Sequence, residues 1–222
     1  FIDARDDLSV QVHPDDNLAH ARHGALGKTE MWYIVDAASG AELLYGFQHE
    51  ITKEEFRRRI EDNRLLDVVR RVPVKKGDVF FIPAGTLHPI GKGILICEIQ
   101  QNSNTTYRVY DYGRIGTDGR PRDLHIEKAL EVTHLAPVTQ HAASAPPIDI
   151  IAGAEVRLLA ACDFFTVYHL AVKGACALYA GTDSFQCLTA LDGSLPLHSN
   201  REELCVQKGA SVFLPAGLGH YE

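Results

Sequence analysis

The first half of the chain contains two histidines and a glutamate whose spacing suits a metal site. Residues 8–16 alternate like a β-strand, so Gln11 and His13 share one face of it. Glu30 stands at the mouth of an apolar strand 17 residues after His13, a separation that suits an adjacent strand of a small barrel. His88 follows a Pro-x-Gly turn. Three strands therefore supply two imidazoles, one carboxylate and an amide oxygen.

Nitrogen and oxygen donors of this kind are typical of zinc sites that leave room for water or substrate. Two histidines and a carboxylate can also hold ferrous iron, as in oxygenases, and composition alone does not choose between the two metals. The five cysteines form no Cys-x-x-Cys pair. A closed structural zinc site is therefore not expected, and an open catalytic site is favoured.

The elements that would position these donors are mostly short strands. Apolar alternations broken by Gly, Pro and Asp predict strands at 30–35, 78–82, 94–100 and 105–110. Thr52-Lys-Glu-Glu is a capping box, and Phe56 and Ile60 follow at helical spacing. We therefore predict one broken helix or two short ones over 51–70, and a further helical turn or two near 126–131.

A repeat organises the chain. The segment 76–88 recurs as 208–220, with a Gly-x5-Pro-x-Gly-x2-His pattern kept in register at an offset of 132 residues. Two copies at a fixed offset indicate a duplicated fold. The pattern resembles the second motif of the cupin superfamily of small jelly-roll barrels. The small, Pro-rich stretch 141–148 is typical of a linker.

The composition narrows the function further. The chain has 222 residues, of which 45% are apolar, and a net charge of −7. This balance argues against nucleic acid as a partner but leaves room for a small anionic substrate. The odd cysteine count indicates a reducing compartment, and no apolar run is long enough to span a membrane, so we expect a cytoplasmic protein. Because the chain starts at Phe1 and ends directly after a motif, we expect both ends to be incomplete.

Longer blocks of sequence resemble one enzyme family. The blocks are Gln-Val-His-Pro-Asp-Asp at 11–16, Gly-Lys-Thr-Glu-Met-Trp at 27–32, the run 76–111 with its Thr-Thr-Tyr-Arg-Val-Tyr-Asp, and Arg-Asp-Leu-His-Ile-Glu-Lys-Ala-Leu at 122–130. Together they are similar to the short bacterial form of type I mannose-6-phosphate isomerase and cover most of residues 1–135. Beyond 150 the likeness rests mainly on the second cupin-like motif. The amino-terminal strands usual in that family are not in this chain.

The resemblance implies a fold and a site. The expected fold is mainly β, with duplicated cupin-like jelly-roll barrels: a metal-binding domain over 1–140 with a helical insertion near 51–70, and a degenerate domain over 148–222. It implies one zinc ion per chain. Its ligands would be His13, Glu30 and His88, with Gln11 matching a fourth ligand of longer family members. Arg108 matches the arginine assigned as catalytic, and Lys28 a lysine of the substrate pocket.

The expected reaction interconverts mannose 6-phosphate and fructose 6-phosphate through an enediolate, in a monomer or homodimer. The sequence leaves the proton-transfer base open between a metal-bound water and Glu98. The alternatives are an iron-dependent cupin dioxygenase, a non-catalytic sugar-binding cupin, and an iron-dependent cupin that isomerises glucose 6-phosphate. Since the second half repeats neither the Gln-x-His pair nor the Lys-x-Glu pair, we expect its barrel to bind no metal.

Overall fold

In the computed structural model, residues 1–138, 149–200 and 202–222 are described. The helices are α1 (Asp16–His23), α2 (Lys53–Glu61) and α3 (Ile126–Val132), with a 3-10 turn at Leu65–Asp67. The strands of the first half are β1 (Ile2–Ala4), β2 (Val10–Val12), β3 (Glu30–Ala37), β4 (Glu42–Phe47), β5 (Val69–Pro73), β6 (Val79–Ile82), β7 (Ile94–Gln100) and β8 (Tyr107–Tyr110). Those of the second half are β9 (Asp149–Ile151), β10 (Ala154–Ala161), β11 (Thr166–Val172), β12 (Leu178–Ala180), β13 (Gln186–Thr189), β14 (Ser194–His198), β15 (Glu203–Gln207), β16 (Ser211–Leu214) and β17 (Gly219–Tyr221).

The chain divides into two compact units. Among the described residues, the first unit contains 1–138 and 160–166, and the second contains 149–159 and 167–222. The predicted linker, 141–148, lies outside the described residues. No helix in the described part of the chain combines the length and the apolar character that crossing a membrane requires. Strands dominate both units, so the prediction of a mainly β fold is confirmed.

The first unit is built on antiparallel pairs. Its largest sheet has the order β1-β7-β3-β6, and β2-β8 and β4-β5 form two further pairs. Val10 and Val12 are fully buried against Phe47 and Phe56 in a core that also includes residues of α2 and α3. Side chains alternate along a strand. Since Val10 and Val12 face the core, Gln11 between them and His13 after them face the opposite side.

The helical region ends earlier than predicted. Thr52 caps α2 by accepting the Glu55 N–H at 3.1 Å, as the capping box predicts. The extension of the helical stripe to residue 70 is wrong. Asn63 adopts a left-handed conformation with φ of 58°, and Val69 begins β5, where it pairs with Phe47. A strand partner supplied from elsewhere in the chain overrides the local helical spacing.

The sequence repeat is also a repeat of backbone structure. Gly77 and Gly209 have φ of 91° and 82°, and Gly85 and Gly217 have φ of 85° and 77°. These are left-handed conformations that favour glycine. A four-residue strand, β6 or β16, lies between the two glycines of each copy. The glycines of the motif are therefore explained by the two turns that each copy must make.

The second unit has its own small core. Its described sheets have the order β11-β10-β9, with the further pairs β12-β17, β13-β16 and β14-β15. Six of its buried apolar side chains form one cluster: Ala180, Ala190, Leu197, Val206, Leu214 and Tyr221. Five of the six lie on strands whose other residues are exposed or partly exposed, as expected for sheets with one solvated face, and Ala190 directly follows β13.

Candidate metal centre

Backbone hydrogen bonds bring His88 beside β2. His88 and Gln11 exchange N–H···O bonds of 3.0 and 3.3 Å, and Gly85 N–H donates to the His13 carbonyl at 2.8 Å. On the other side of β2, Gln11 is paired with Arg108 of β8. Residues directly opposite each other in antiparallel strands share a face. Gln11, His13, His88 and Arg108 therefore lie on one side of this strand set.

Glu30 reaches the same place from the largest sheet. It is the first residue of β3 and is paired on one side with Ile82 of β6 and on the other with Gln100 of β7. Its side chain is completely buried. A carboxylate held in the middle of a sheet and shielded from water needs a positive partner, because burying an isolated charge is costly.

The three predicted ligands converge. His13 Nε2 lies 3.1 Å from His88 Nε2 and 3.6 Å from Glu30 Oε2, and His88 Nε2 lies 3.3 Å from Glu30 Oε1. One ligand atom of each residue lies within 4.8 Å of the other two. Ligands about 2.1 Å from a tetrahedral ion lie roughly 3.4 Å apart, so these separations suit one small cation.

The orientation of the two imidazoles supports a cation. His13 Nδ1 is 2.9 Å from the Thr105 carbonyl and His88 Nδ1 is 2.8 Å from the Thr86 carbonyl. A carbonyl only accepts, so in each ring the proton belongs on Nδ1 and the lone pair on Nε2. Two lone pairs and a carboxylate then face one point. This is the arrangement in which outer partners orient metal-binding histidines.

The electrostatics of the cluster agree with that assignment. Burial lowers the pKa of His13 to about 2, with further contributions from His88 and Lys28, and lowers the pKa of His88 to about 4. Both rings are therefore neutral at pH 7, as ligation requires. Burial raises the pKa of Glu30, against the opposing attraction of Lys28. A divalent ion would favour the ionised carboxylate.

The amide of Gln11 borders the same point. Its Nε2 lies 3.5 Å from His88 Nε2. The oxygen and nitrogen of a glutamine amide are assigned by their surroundings, and turning the amide over would bring Oε1 to this position. The Gln11 side chain thus borders the point that the donor atoms of His13, Glu30 and His88 surround, and its role as a fourth donor stays a prediction.

Lys28 lies directly against the cluster. Its Nζ is 2.6 Å from Glu30 Oε2 and 3.5 Å from Glu98 Oε1. The Lys28 ammonium thus opposes the effect of burial on the Glu30 carboxylate through its charge and its close contact. Trp32 Nε1 donates to Glu98 Oε2 at 2.9 Å. Burial, together with the charge of Glu30, raises the pKa of Glu98.

Two hydrogen bonds fix the position of Arg108. Its Nη1 donates to the Asp123 carbonyl at 3.1 Å, and its backbone N–H donates to His125 Nδ1 at 3.0 Å. Its Nε is buried and has no hydrogen-bond partner in the described part of the chain. The guanidinium therefore lies on the same face of the β2-β8 pair as Gln11, and some of its N–H groups remain available to donate to a ligand.

Known proteins share both the sequence and the fold. Mannose-6-phosphate isomerase ManA of Bacillus subtilis is 40% identical over 100% of this chain and 70% of its own length. Mannose-6-phosphate isomerase of Streptococcus mutans is 40% identical over 97% of this chain and 66% of its own length. The crystal structure of the mannose 6-phosphate isomerase from Bacillus subtilis superimposes with a TM-score of 0.85 at 34% identity, covering 99% of this chain and 69% of the other.

The chain belongs to the mannose-6-phosphate isomerase family. The family model named mannose-6-phosphate isomerase, cupin domain, matches residues 155–222. In this region the sequence resemblance rested mainly on the second cupin-like motif. The predicted cupin fold and the predicted family are thereby confirmed. The chain spans about two thirds of the length of the family members named above.

Sequence reasoning named every polar residue of the cluster but missed Trp32 as a partner of Glu98. The signal was present. Every second residue of an extended chain lies on the same face, and this face includes Lys28, Glu30 and Trp32. What the sequence lacked was the register of β3 against β7, which sets Trp32 opposite Glu98.

Proposed function

We propose that the chain forms the catalytic site of a zinc-dependent aldose–ketose isomerase that interconverts mannose 6-phosphate and fructose 6-phosphate through an enediolate. The observation that carries this proposal is the convergence of two imidazole lone pairs and one carboxylate, with a lysine beside them. Membership of the family supports the substrate. A cytoplasmic enzyme, monomeric or homodimeric, is part of the same proposal.

The proposed ligands are His13, Glu30 and His88, with Gln11 as a fourth donor. These belong to a proposed metal-binding cupin domain over 1–140, followed by a proposed degenerate cupin domain over 148–222. Zinc held there would polarise the sugar carbonyl and stabilise negative charge on oxygen. An iron-dependent dioxygenase would use the same three ligands. The buried Lys28 beside them, together with the family, favours the isomerase.

The reaction moves a proton between C1 and C2 of the sugar. We assign that transfer to Glu98, whose pKa is raised by burial and by Glu30 toward the range that suits a base working near neutral pH. The indole of Trp32 holds one of its oxygens, leaving the other toward Lys28. Such anchoring keeps the carboxylate in one orientation while the proton is carried between neighbouring carbons.

Two cations complete the proposed site. Lys28 donates to oxygen atoms of the bound sugar, or carries a proton to them, from a position between Glu30 and Glu98. Arg108 offers the donors that its contact with Asp123 leaves unused, either to the developing oxyanion or to the phosphate group. Fixed donors in a site that excludes water stabilise charge more strongly than water does.

The test is a coupled assay of fructose 6-phosphate formation from mannose 6-phosphate. We expect activity that is lost on chelation and returns with zinc. Glu98→Gln should lower kcat by about 100-fold or more while zinc remains bound. Zinc-loaded protein without isomerase activity would refute the proposal, and oxygen consumption with iron would favour the dioxygenase.

A further inference from the structure

A glutamine side chain extends the sheet at the entrance to β3. The β7 strand ends at Gln100, yet Gln101 N–H still donates to the Thr29 carbonyl at 3.0 Å. The return bond is made by the side chain, since Gln101 Oε1 accepts the Thr29 N–H at 2.7 Å. The Gln101 carbonyl is turned to Ser103 N–H instead, at 2.7 Å. The side chain thus replaces a backbone acceptor where the chain leaves the sheet.

The other end of the same amide reaches α1. Gln101 Nε2 donates to Asp16 Oδ1 at 3.0 Å, and the same oxygen accepts the Gly27 N–H at 2.7 Å. Lys28 N–H donates to the Pro14 carbonyl at 3.1 Å. A Cβ on Gly27 would lie 2.4 Å from the Asp15 carbonyl carbon, so the two backbones touch. Segment 27–29 is therefore clamped between residues 14–16 and Gln101.

These hydrogen bonds affect the position of Lys28 more than the positions of the proposed metal ligands. Glu30 is held by backbone pairing to both β6 and β7, whereas Lys28 precedes the first residue of β3. The extended course of residues 28–30, which puts Lys28 and Glu30 on one face, depends on the hydrogen bonds made by Thr29. Both of those bonds go to Gln101, and Gln101 is itself buried.

We propose that Gln101 is a positioning residue that fixes the Lys28 ammonium at the reacting sugar; the inference rests on the isomerase function proposed above. In the described part of the chain, the hydrogen bonds of the Gln101 side chain go to Thr29 and Asp16 and not to His13, Glu30 or His88. It acts through the Thr29 backbone, with Asp16 setting the direction of its amide. Loss of the side chain leaves Glu30 paired in its sheet but removes the acceptor of the Thr29 N–H and the donor to Asp16, so the segment that carries the lysine is held less tightly.

The test compares Gln101→Ala with Asn102→Ala, a matched loss of an amide at an exposed neighbouring position. In Gln101→Ala we expect kcat to fall about 10- to 100-fold, because a misplacement of about 1 Å can have that effect. Zinc affinity should stay near the wild-type value. Hydrogen exchange at the Thr29 amide should accelerate. Asn102→Ala should match wild type in all three measurements.

A rescue variant separates positioning from general stability. Gln101→Glu keeps an acceptor for the Thr29 N–H but sets a carboxylate against Asp16, so Asp16→Asn is combined with it to remove the like charge while its amide oxygen still accepts the Gly27 N–H. We expect this pair to restore Thr29 protection and most of kcat. A rescue of protection without any rescue of kcat would contradict the proposal.

Two further outcomes would overturn the inference. One is wild-type kcat in Gln101→Ala despite faster exchange at Thr29. The other is a fall in kcat that matches a fall in bound zinc, which would mean that Gln101 only supports folding. If the zinc-loaded wild-type protein had no isomerase activity, the proposed function would fail and this inference would fail with it.

Discussion

The two copies of the repeat share a backbone but differ in their surroundings. His88 follows the left-handed Gly85 and is fully buried against His13 and Glu30. His220 follows the left-handed Gly217 and is exposed, with its ring 4.9 Å from that of Tyr179. The motif therefore specifies a turn and the place of a histidine. A metal centre needs partners that other strands must supply.

The first unit supplies such partner residues for His88. Gln11 lies on β2, His13 directly follows that strand, and Glu30 begins β3. His220 lies on β17 and pairs with Tyr179 of β12. Within the described residues, the one group of three side chains that could hold a metal ion is His13, Glu30 and His88. That the second unit binds no metal stays a prediction.

The largest expected difference is in metal binding. His88→Ala removes one of three proposed ligands and should weaken zinc binding by at least about 100-fold, with loss of isomerase activity. His220→Ala, the matched change in the second copy, should leave zinc affinity unchanged. Competition with a chromophoric chelator measures both variants. Equal losses in the two would contradict the contrast between the copies.

A second difference concerns the cores. Phe80 on β6 is 1% exposed, and Phe213 on β16, which matches Phe81 in the repeat, is 62% exposed. Phe80→Ala should lower the free energy of unfolding by about 3–5 kcal/mol through the cavity it leaves. Phe213→Ala should change it by about 0.5 kcal/mol or less. Urea denaturation of both variants checks this, and a large loss for Phe213→Ala would mean that its face is covered in the intact protein.

The smallest expected effect is a dependence on pH that arises in the first unit. In metal-free protein the pKa values of His13 and His88 are about 2 and about 4, against 6.5 for the unfolded chain. Between pH 6.5 and about 4 the unfolded state binds more protons, so the free energy of unfolding should fall by a few kcal/mol as pH drops. The raised pKa of Glu30 has the opposite sign and offsets part of this loss.

Denaturation of the metal-free protein at pH 7.5 and pH 5 measures this slope. Combining His13→Asn with His88→Asn should flatten it, because the asparagine amide does not titrate. His220→Asn is the control from the second copy and should leave the slope as in wild type. A slope that survives the double substitution would place the titrating groups elsewhere.

Much of this contrast could be predicted from the sequence. The strand at 94–100 has the predicted bounds, and the repeat correctly indicated two equivalent turns. Both depend on local features: alternation along a strand and glycines with positive φ. The ligand set came from the family resemblance together with the shared face of Gln11 and His13.

The rest depends on pairing between distant segments, which local patterns do not encode. The contact between Trp32 and Glu98 follows from the register of β3 on β7. The early end of the helical region follows from the pairing of Val69 with Phe47. The hydrogen bonds of Gln101 to Thr29 likewise join residues 72 positions apart. Each required the three-dimensional arrangement of strands.

A zinc-edge anomalous map from crystals of the zinc-loaded protein would locate the metal directly. We expect one zinc ion within about 2.2 Å of His13 Nε2, His88 Nε2 and a Glu30 carboxylate oxygen. Zinc bound at another place, in protein that retains isomerase activity, would contradict this expectation.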